Sequence, residues 1–549
     1  MKKKTIYIAI FSIIVLFIFS CKNNAIVEEQ KILLDDFFFV VDSPKDVSFP
    51  LYEENIISPL KLKLKCKKSG YYSFQWILRN NNEAIIDIEN ISQVELKRGE
   101  EYELSYIINK CNYINTYLLL NIIIDETESL VLPKISISQT MNSGIPTLFI
   151  ETNEGVDVTN KTEWIDSKLY FCFSGNNIFS GTSKIKGRGN TSWLTEKKPY
   201  SLKLESKHSL LGMETSKRWV LINNHVDKSL LRNILASNIG NTIFNSYWNP
   251  SFESVDLVLN NEYKGTYILG ESIKIDKKRV NIQSLEDSYI GKGKDLNKDG
   301  IVDIKDGGFI LEINNKKNEF HISTDCFPIL TLKDPEKEDF SEWTIELENY
   351  ITNIVKTAEE SLYSNEWLDI DIGYKVYFDI DSIVDWYLVS EFLKSADANF
   401  NTSVFIFYDP SDCKIHFGPN WDFDDCCGNY IGYGEDVYST EGFYIYKNVS
   451  FIKRLFEDSE FKKLLKNRWN ERKGLLFELI QNDLQKLANT ISNSAEKNFI
   501  RYPILGSYVF DTYAAPGYED RLTYQNEVDY LIDWCKSRYE WFDKAINQL

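Results

Sequence analysis

A change of periodicity along the chain constrains its fold more than any other feature. Up to about residue 271 the apolar residues fall in short runs rich in β-branched and aromatic side chains; beyond 340 they recur at helical spacing. Strands followed by helices predict an α+β protein of two lobes with a cleft between them. At roughly 150 residues per domain, 549 residues allow about three or four domains. The composition is that of a folding chain, with 43% hydrophobic and 14% aromatic residues, and it excludes collagen, coiled coil and multispan membrane protein.

Within the strand-rich part, residues 31–135 read as a module of their own. LKLKLKC (60–66), YYSFQWIL (71–78), YELSYIIN (102–109) and TYLLLNIII (116–124) are strand-like, and polar clusters at 79–83 and 97–101 separate some of them. No catalytic cluster lies there, so a small β-sandwich that spaces or binds is the plain reading. The rest, 136–549, divides into a β-rich lobe of about 140–335 and a helical lobe of about 340–549. Asp227 is placed to cap a helix over 228–241.

The first twenty residues read as an address. Lys2, Lys3 and Lys4 precede an uncharged run from 5 to 20, short for a span that needs about 20 residues but suited to a signal peptide. Ile18-Phe19-Ser20-Cys21 has the order of a bacterial lipobox, with Cys21 as the lipidated residue and 21–30 as a tether. The alternative is an uncleaved anchor. Either way the expectation is an exported chain held on the cell envelope. The net charge of −19, from 62 Lys and Arg against 81 Asp and Glu, argues against nucleic acid as a partner.

Eight cysteines remain: 66, 111, 172, 326, 413, 426, 427 and 535. None has the CxxC spacing of a zinc site. Cys66 and Cys111 fall in separate strands and can pair across a sandwich; the alternative is two buried thiols.

Two stretches carry metal chemistry. DLNKDGIVDIKD (295–306) sets oxygen ligands at Asp295, Asn297, Asp299, Asp303 and Asp306, adds the Ile301 carbonyl, and turns at Gly300. Calcium takes six to eight such oxygens, and the shorter acid at the twelfth position resembles a dockerin-type loop. A polar surface loop is the plain alternative. The second stretch runs from an apolar helix through Asp397 and Asn401 to a hairpin, SVFIFY and CKIHFG, and returns at Asn420-Trp421-Asp422-Phe423-Asp424. The hairpin brings Asp397 and Asn401 toward Asp422. Two carboxylates and a carboxamide held together suit a divalent cation and a polyphosphate. The alternative is a capping Asp397 and a surface Asp422. In the β-rich part, Arg188 sits in KGRGNTSW, Lys203 on a strand facing the same way as Ser201 and Glu205, and Glu271 at a strand end.

In chain order, KIKGRGNTSW, KKPYSLKL, RWVLINNHVDKSLLRN, EYKGTYILGESIKI, GGFILEIN, SADANFNTSVFIFYDP, KIHFGPNWDFDDCCGN and LFEDSEFKKLLKNRWNE resemble the CotH kinase family over about 143–500. The resemblance implies an atypical, secreted protein-kinase fold that moves phosphate from ATP to serine with Mg²⁺ or Mn²⁺. It implies Asp397 as the active-site acid, Asp422 as the metal-binding acid and Asn401, with Asn399 as a rival, as the loop asparagine. Arg188 matches RGN; Lys203 and Glu271 are the candidates for the phosphate-contacting lysine and its partner. Asp397 lacks a preceding His-Arg, and Asp425-Cys426-Cys427-Gly428 stands where the family has apolar or small residues. Scarce ATP outside the cytoplasm keeps a second reading open: an inactive surface adhesin or assembly scaffold on the same frame, with a protein as its partner. The calcium-type loop and the β module also suggest a carbohydrate-associated role.

Overall fold

The computed structural model describes residues 37–42, 46–50, 59–80, 85–107, 116–124, 129–140, 143–173, 176–260, 262–316, 320–510, 513 and 515–549. The signal-peptide run, Cys21, the tether and Cys111 lie outside them. The chain divides into two compact units, one reaching Asn142 and including Phe171–Ile178, the other holding Ser143–Tyr170 and Phe179–Leu549. Among the described residues no helix is long and apolar enough to cross a membrane.

The first unit is built from strands. β1 (Phe38–Asp42), β3 (Pro59–Cys66) and β6 (Glu101–Ile107) form one sheet in the order β1-β3-β6. β2 (Asp46–Pro50), β4 (Gly70–Asn80), β5 (Ile85–Leu96), β7 (Thr116–Ile123) and β9 (Ile135–Thr140) form the other, ordered β2-β9-β7-β4-β5, with β8 (Ser129–Val131) on β7. Alternation on β3 buries Leu60, Leu62, Leu64 and Cys66 and turns Lys61 and Lys65 out. Tyr72, Phe74, Trp76 and Leu78 of β4 join the same apolar core. On the outer side Lys61 pairs with Glu103 at 2.7 Å and Lys63 with Glu101 at 2.8 Å across the two strands. β9 lies between β2 and β7, which is why the unit reaches Asn142 and not 135.

Next along the chain comes a closed barrel. β10 (Thr147–Thr152), β11 (Ile165–Phe173), β12 (Asn176–Gly187), β13 (Tyr200–His208), β14 (Ser216–Ile222), β15 (Phe252–Leu259) and β16 (Glu262–Glu271) follow the order β10-β11-β12-β13-β14-β16-β15, closed by parallel pairing of β15 with β10. The helix expected over 228–241 spans Arg232–Thr242 (α1). It starts late because Leu230 sits in the left-handed region, at φ 60°.

A five-stranded sheet follows, and it draws on both halves of the chain. β17 (Phe309–Ile313), β18 (His321–Ile322) and β19 (Leu330–Asp334) join β20 (Val404–Asp409) and β21 (Lys414–Phe417) in the order β18-β19-β17-β20-β21. Glu312 of β17 faces Phe405 of β20 in antiparallel register. The change from strand-rich to helix-rich sequence near 335–340 is therefore no boundary between sheets. The long helices that follow are α2 (Ile345–Tyr363), α3 (Ile380–Leu393), α4 (Ser459–Glu478), α5 (Leu484–Arg501) and α6 (Tyr524–Asn547). α4 passes into α5 through one π turn, Leu479–Asp483. α6 packs as expected for the C-terminal segment: Trp534 is buried, and Trp469 of α4 meets Phe542 at 4.9 Å. α3 is buried almost throughout and delivers the chain to the candidate site.

Candidate active site

α3 ends at Lys394, whose left-handed backbone (φ 49°) turns the chain into the loop from Ser395 to Asn401. Phe400, also left-handed at φ 65°, drives its ring into a cluster with Phe327, Trp386, Phe417 and Phe451. That anchor fixes Asp397 and Asn401, and Asn401 Nδ2 donates to Asp397 Oδ1 at 2.9 Å. The hairpin of β20 and β21 returns the chain as expected. Ser403 Oγ donates to Asp422 Oδ2 at 3.3 Å. Asp422 is itself left-handed, at φ 64°, and such positions in non-glycine residues gather at functional sites.

Four carboxyls crowd here. The Asp397 N–H donates to Asp425 Oδ2 at 2.8 Å and Ser395 Oγ donates to Asp425 Oδ1 at 3.3 Å, so Asp425 holds the loop. Burial and the nearby charge of Asp422 push the Asp397 carboxyl up to about 7, against the hydrogen bond from Asn401. Burial also raises Asp422, opposed by Arg188 and Ser403 and assisted by Glu312. Asp424 and Asp425 are raised further, first by burial and then by the other acids. Tyr513 faces the same four acids, and burial and their charge raise its phenol.

Arg188 is the cation that meets this cluster. Its guanidinium lies 5.3 Å from the Trp421 ring and is held charged against burial by Asp422 and Glu312. The flanking glycines are steric requirements: a Cβ on Gly187 would stand 2.4 Å from the Trp193 ring, and one on Gly189 2.2 Å from Ser192 Oγ.

Beneath the acids lies a support that sequence reasoning passed over. Asp227 Oδ2 accepts the N–H of Arg232 at 2.9 Å and Oδ1 that of Ser229 at 3.0 Å; the cap of α1 is Leu231, not Asp227 as expected, because the helix starts four residues later. Asp227 also forms a fully buried ion pair with Arg232 at 2.5 Å. Arg232 Nε donates to the Cys426 carbonyl at 2.9 Å, Asn233 Oδ1 accepts from the Phe423 N–H at 2.9 Å, and Asn249 Oδ1 from the Asn420 N–H at 2.8 Å. The motif NNHVDKSLLRN thus carries the acid run. Its string of polar residues within an apolar stretch was the available signal.

Two expectations are corrected. Lys203 is exposed, in a cross-strand row with Lys184 and Arg218, because alternation turns Leu202 and Leu204 inward. Glu271 lies in the row of Leu202 and Trp219, on the opposite face, and pairs with Arg279 at 2.8 Å. The two are not partners. The buried lysine of that motif is Lys197, whose Nζ donates to Asn498 Oδ1 at 2.7 Å and to the Thr266 carbonyl.

The loop 295–306 closes on its own backbone. Asp306 Oδ1 accepts the N–H groups of Leu296 (2.7 Å) and Asn297 (2.6 Å), and Oδ2 that of Asp303 (3.0 Å). Those bonds outweigh burial and hold the Asp306 carboxyl below its ordinary range. Asp295 Oδ2 accepts from Gly300 N–H at 2.8 Å, Asn297 Oδ1 from Asp299 N–H at 3.0 Å, and Asp299 Oδ1 from Ile301 N–H at 2.9 Å. A further group with metal-ligand spacing is Asp409, Asp412 and His416 at the hairpin turn. There His416 Nε2 meets Asp412 at 3.1 Å and Nδ1 meets Asp379 at 3.5 Å; despite burial those carboxylates raise the imidazole to about 9.

Asp397 and Asp422 on either side of the hairpin, the Asn401 amide beside Asp397 and Arg188 near Asp422 are thus brought together. Residues 185–542 match the model of the CotH kinase protein family, and the chain belongs to that family. It is thus a kinase or kinase-fold protein of the CotH type. A comparison with curated proteins gives no match.

Proposed function

We propose that this protein is an exported, membrane-anchored kinase that transfers phosphate from ATP to serine residues of proteins, on a two-lobed kinase-like frame behind an N-terminal β-sandwich. The observation that carries the reading is the meeting of Asp397, Asn401, Asp422 and Arg188 in one half-buried cluster. Four acids facing little positive charge fit a divalent cation, and the buried Oδ1 of Asn399 has no hydrogen-bond partner. Asp422 and Asn401 would hold Mg²⁺ or Mn²⁺, with Asn399 as a further oxygen. When bound, the cation supplies charge neutralisation and alignment of the ATP phosphates. Arg188 adds positive charge on the same side. Asp397 orients the serine hydroxyl and takes its proton; its raised carboxyl is matched to that exchange near neutral pH. Catalysis then rests on positioning and electrostatics.

The loop 295–306 fits a structural Ca²⁺: Asp295 Oδ1 is buried without a partner, beside Asn297, Asp299, Asp303, Asp306 and the Ile301 carbonyl. Anchoring rests on the lipobox order at Cys21. The test is incubation of the purified full chain with labelled ATP and Mg²⁺ or Mn²⁺. Label on the protein or on casein, lost in Asp397→Ala and Asp422→Ala, supports a kinase. No label, and no melting shift with any nucleotide, moves the reading to an adhesin or scaffold on a kinase frame.

A further inference from the structure

The acid run passes directly into Cys426 and Cys427, and α6 brings a third thiol to them. Cys427 Sγ accepts from Cys426 Sγ at 3.4 Å and from Cys535 Sγ at 4.0 Å, and all three side chains are fully buried. Both backbones are tied at this point. The Cys427 N–H donates to the Leu393 carbonyl at 2.8 Å, and Arg232 holds the Cys426 carbonyl at 2.9 Å. From α6, Tyr530 OH donates to the Gly428 carbonyl at 3.1 Å and the Trp534 indole to the Tyr438 carbonyl at 2.8 Å. The Cys427 and Cys535 sulfurs therefore stand 4.0 Å apart between two anchored stretches of chain.

We propose that Cys427 and Cys535 form a disulfide when the chain folds in the presence of a disulfide oxidant, so that the acid loop is covalently tied to α6. Cys426 is nearer to Cys427 but is the wrong partner. Adjacent residues have Cα atoms only about 3.8 Å apart, short of the roughly 4.4–6.8 Å that a disulfide requires. Either thiol can attack first while α6 is still undocked; the step is the same with Cys427 leading. Its thiolate attacks one sulfur of the oxidant and expels the other as a thiolate. Cys535 then loses its proton and attacks the Cys427 sulfur of the mixed disulfide, expelling the second thiolate. Two electrons pass from the protein thiols to the oxidant, which ends as two thiols carrying the two protons. Because the thiols are closed off once α6 has docked, the exchange takes place while the chain is folding.

The test refolds the reduced full chain against graded ratios of oxidised to reduced glutathione, followed by acid quench, alkylation, trypsin digestion and mass analysis. The expected product is a cross-link between the peptides 415–447 and 522–536, which contain Cys427 and Cys535. Its appearance is accompanied by a melting midpoint several degrees above that of the reduced protein, and Cys535→Ala abolishes both. The linked peptide is read in the natural chain, so the outcome does not depend on how well the variant folds. Full alkylation of all three cysteines at the most oxidising ratio overturns the proposal. So does an internal Cys426–Cys427 bond, seen as peptide 415–447 alone, two hydrogens lighter.

Discussion

Two acidic stretches of this chain look alike in sequence and differ in what their carboxyls face. In the loop 295–306 the carboxylates point at backbone N–H groups, and Asp306 is held ionised although fully buried. In the cluster of Asp397, Asp422, Asp424 and Asp425, acids face one another with Arg188 and Arg232 as nearby cations, and all four are raised. Density of aspartate therefore does not set charge; the donors within hydrogen-bond reach do. In the loop the backbone satisfies the acid; in the cluster folding gathers carboxyls whose ionisation it does not balance.

The comparison breaks first at its foundation. Arg232→Ala removes one half of the buried pair with Asp227 and frees the Cys426 carbonyl; it should cost about 3–5 kcal/mol in denaturant unfolding. A smaller loss would mean that the acid run is carried elsewhere. Neutralising one acid in each region sharpens the contrast. Asp306→Asn should lose about 1–3 kcal/mol, because a carboxylate accepting three N–H groups is replaced by an amide. Asp424→Asn, where the carboxyl resists ionisation, should leave the metal-free protein as stable or more so. Losses of the same size in both would erase the distinction.

Titration gives a further contrast. The folded Asp397 carboxyl sits at about 7, above its unfolded value, so its share of stability is complete below about pH 4 and is lost as pH rises to about 7. That share has a slope of at most about 1.4 kcal/mol per pH unit, which Asp397→Asn should remove from melting curves run without divalent cation. The smallest effect belongs to the hairpin turn. His416 is raised to about 9, so its pairing with Asp379 and Asp412 stabilises fully below about pH 6.5 and fades by about pH 9. His416→Ala should cost about 1 kcal/mol at pH 6 and less at pH 9.5.

Much of this was legible in the sequence, because local pattern and local structure agree. Strand alternation placed β3 and β4, and the hairpin from 403 to 418 brought Asp397 and Asn401 to Asp422 as its spacing implies. What stayed hidden depends on register and on distant partners. Lys203 has the right chemistry on the wrong face, and only the pairing of β13 with β14 shows it. Glu271 looked like a partner for a lysine, but Arg279 lies eight residues on and reaches it first. Glu312 and Asn233 act from elements far along the chain, with no sequence signal beyond a polar residue in an apolar run. The boundary near 135 was missed because β9 pairs with β2, far back in the sequence.

The most direct test of the account is a calorimetric titration of Mn²⁺ at pH 6.5 in buffers of different ionisation enthalpy. Proton release is expected as a cation enters the cluster, because burial raises all four of its carboxyls, Asp397 to about 7, whereas Asp306 of the loop is held below its ordinary range. The account predicts proton-releasing Mn²⁺ binding that disappears in Asp422→Ala and persists in Asp306→Asn. Binding without proton release, or binding untouched by Asp422→Ala, would contradict it.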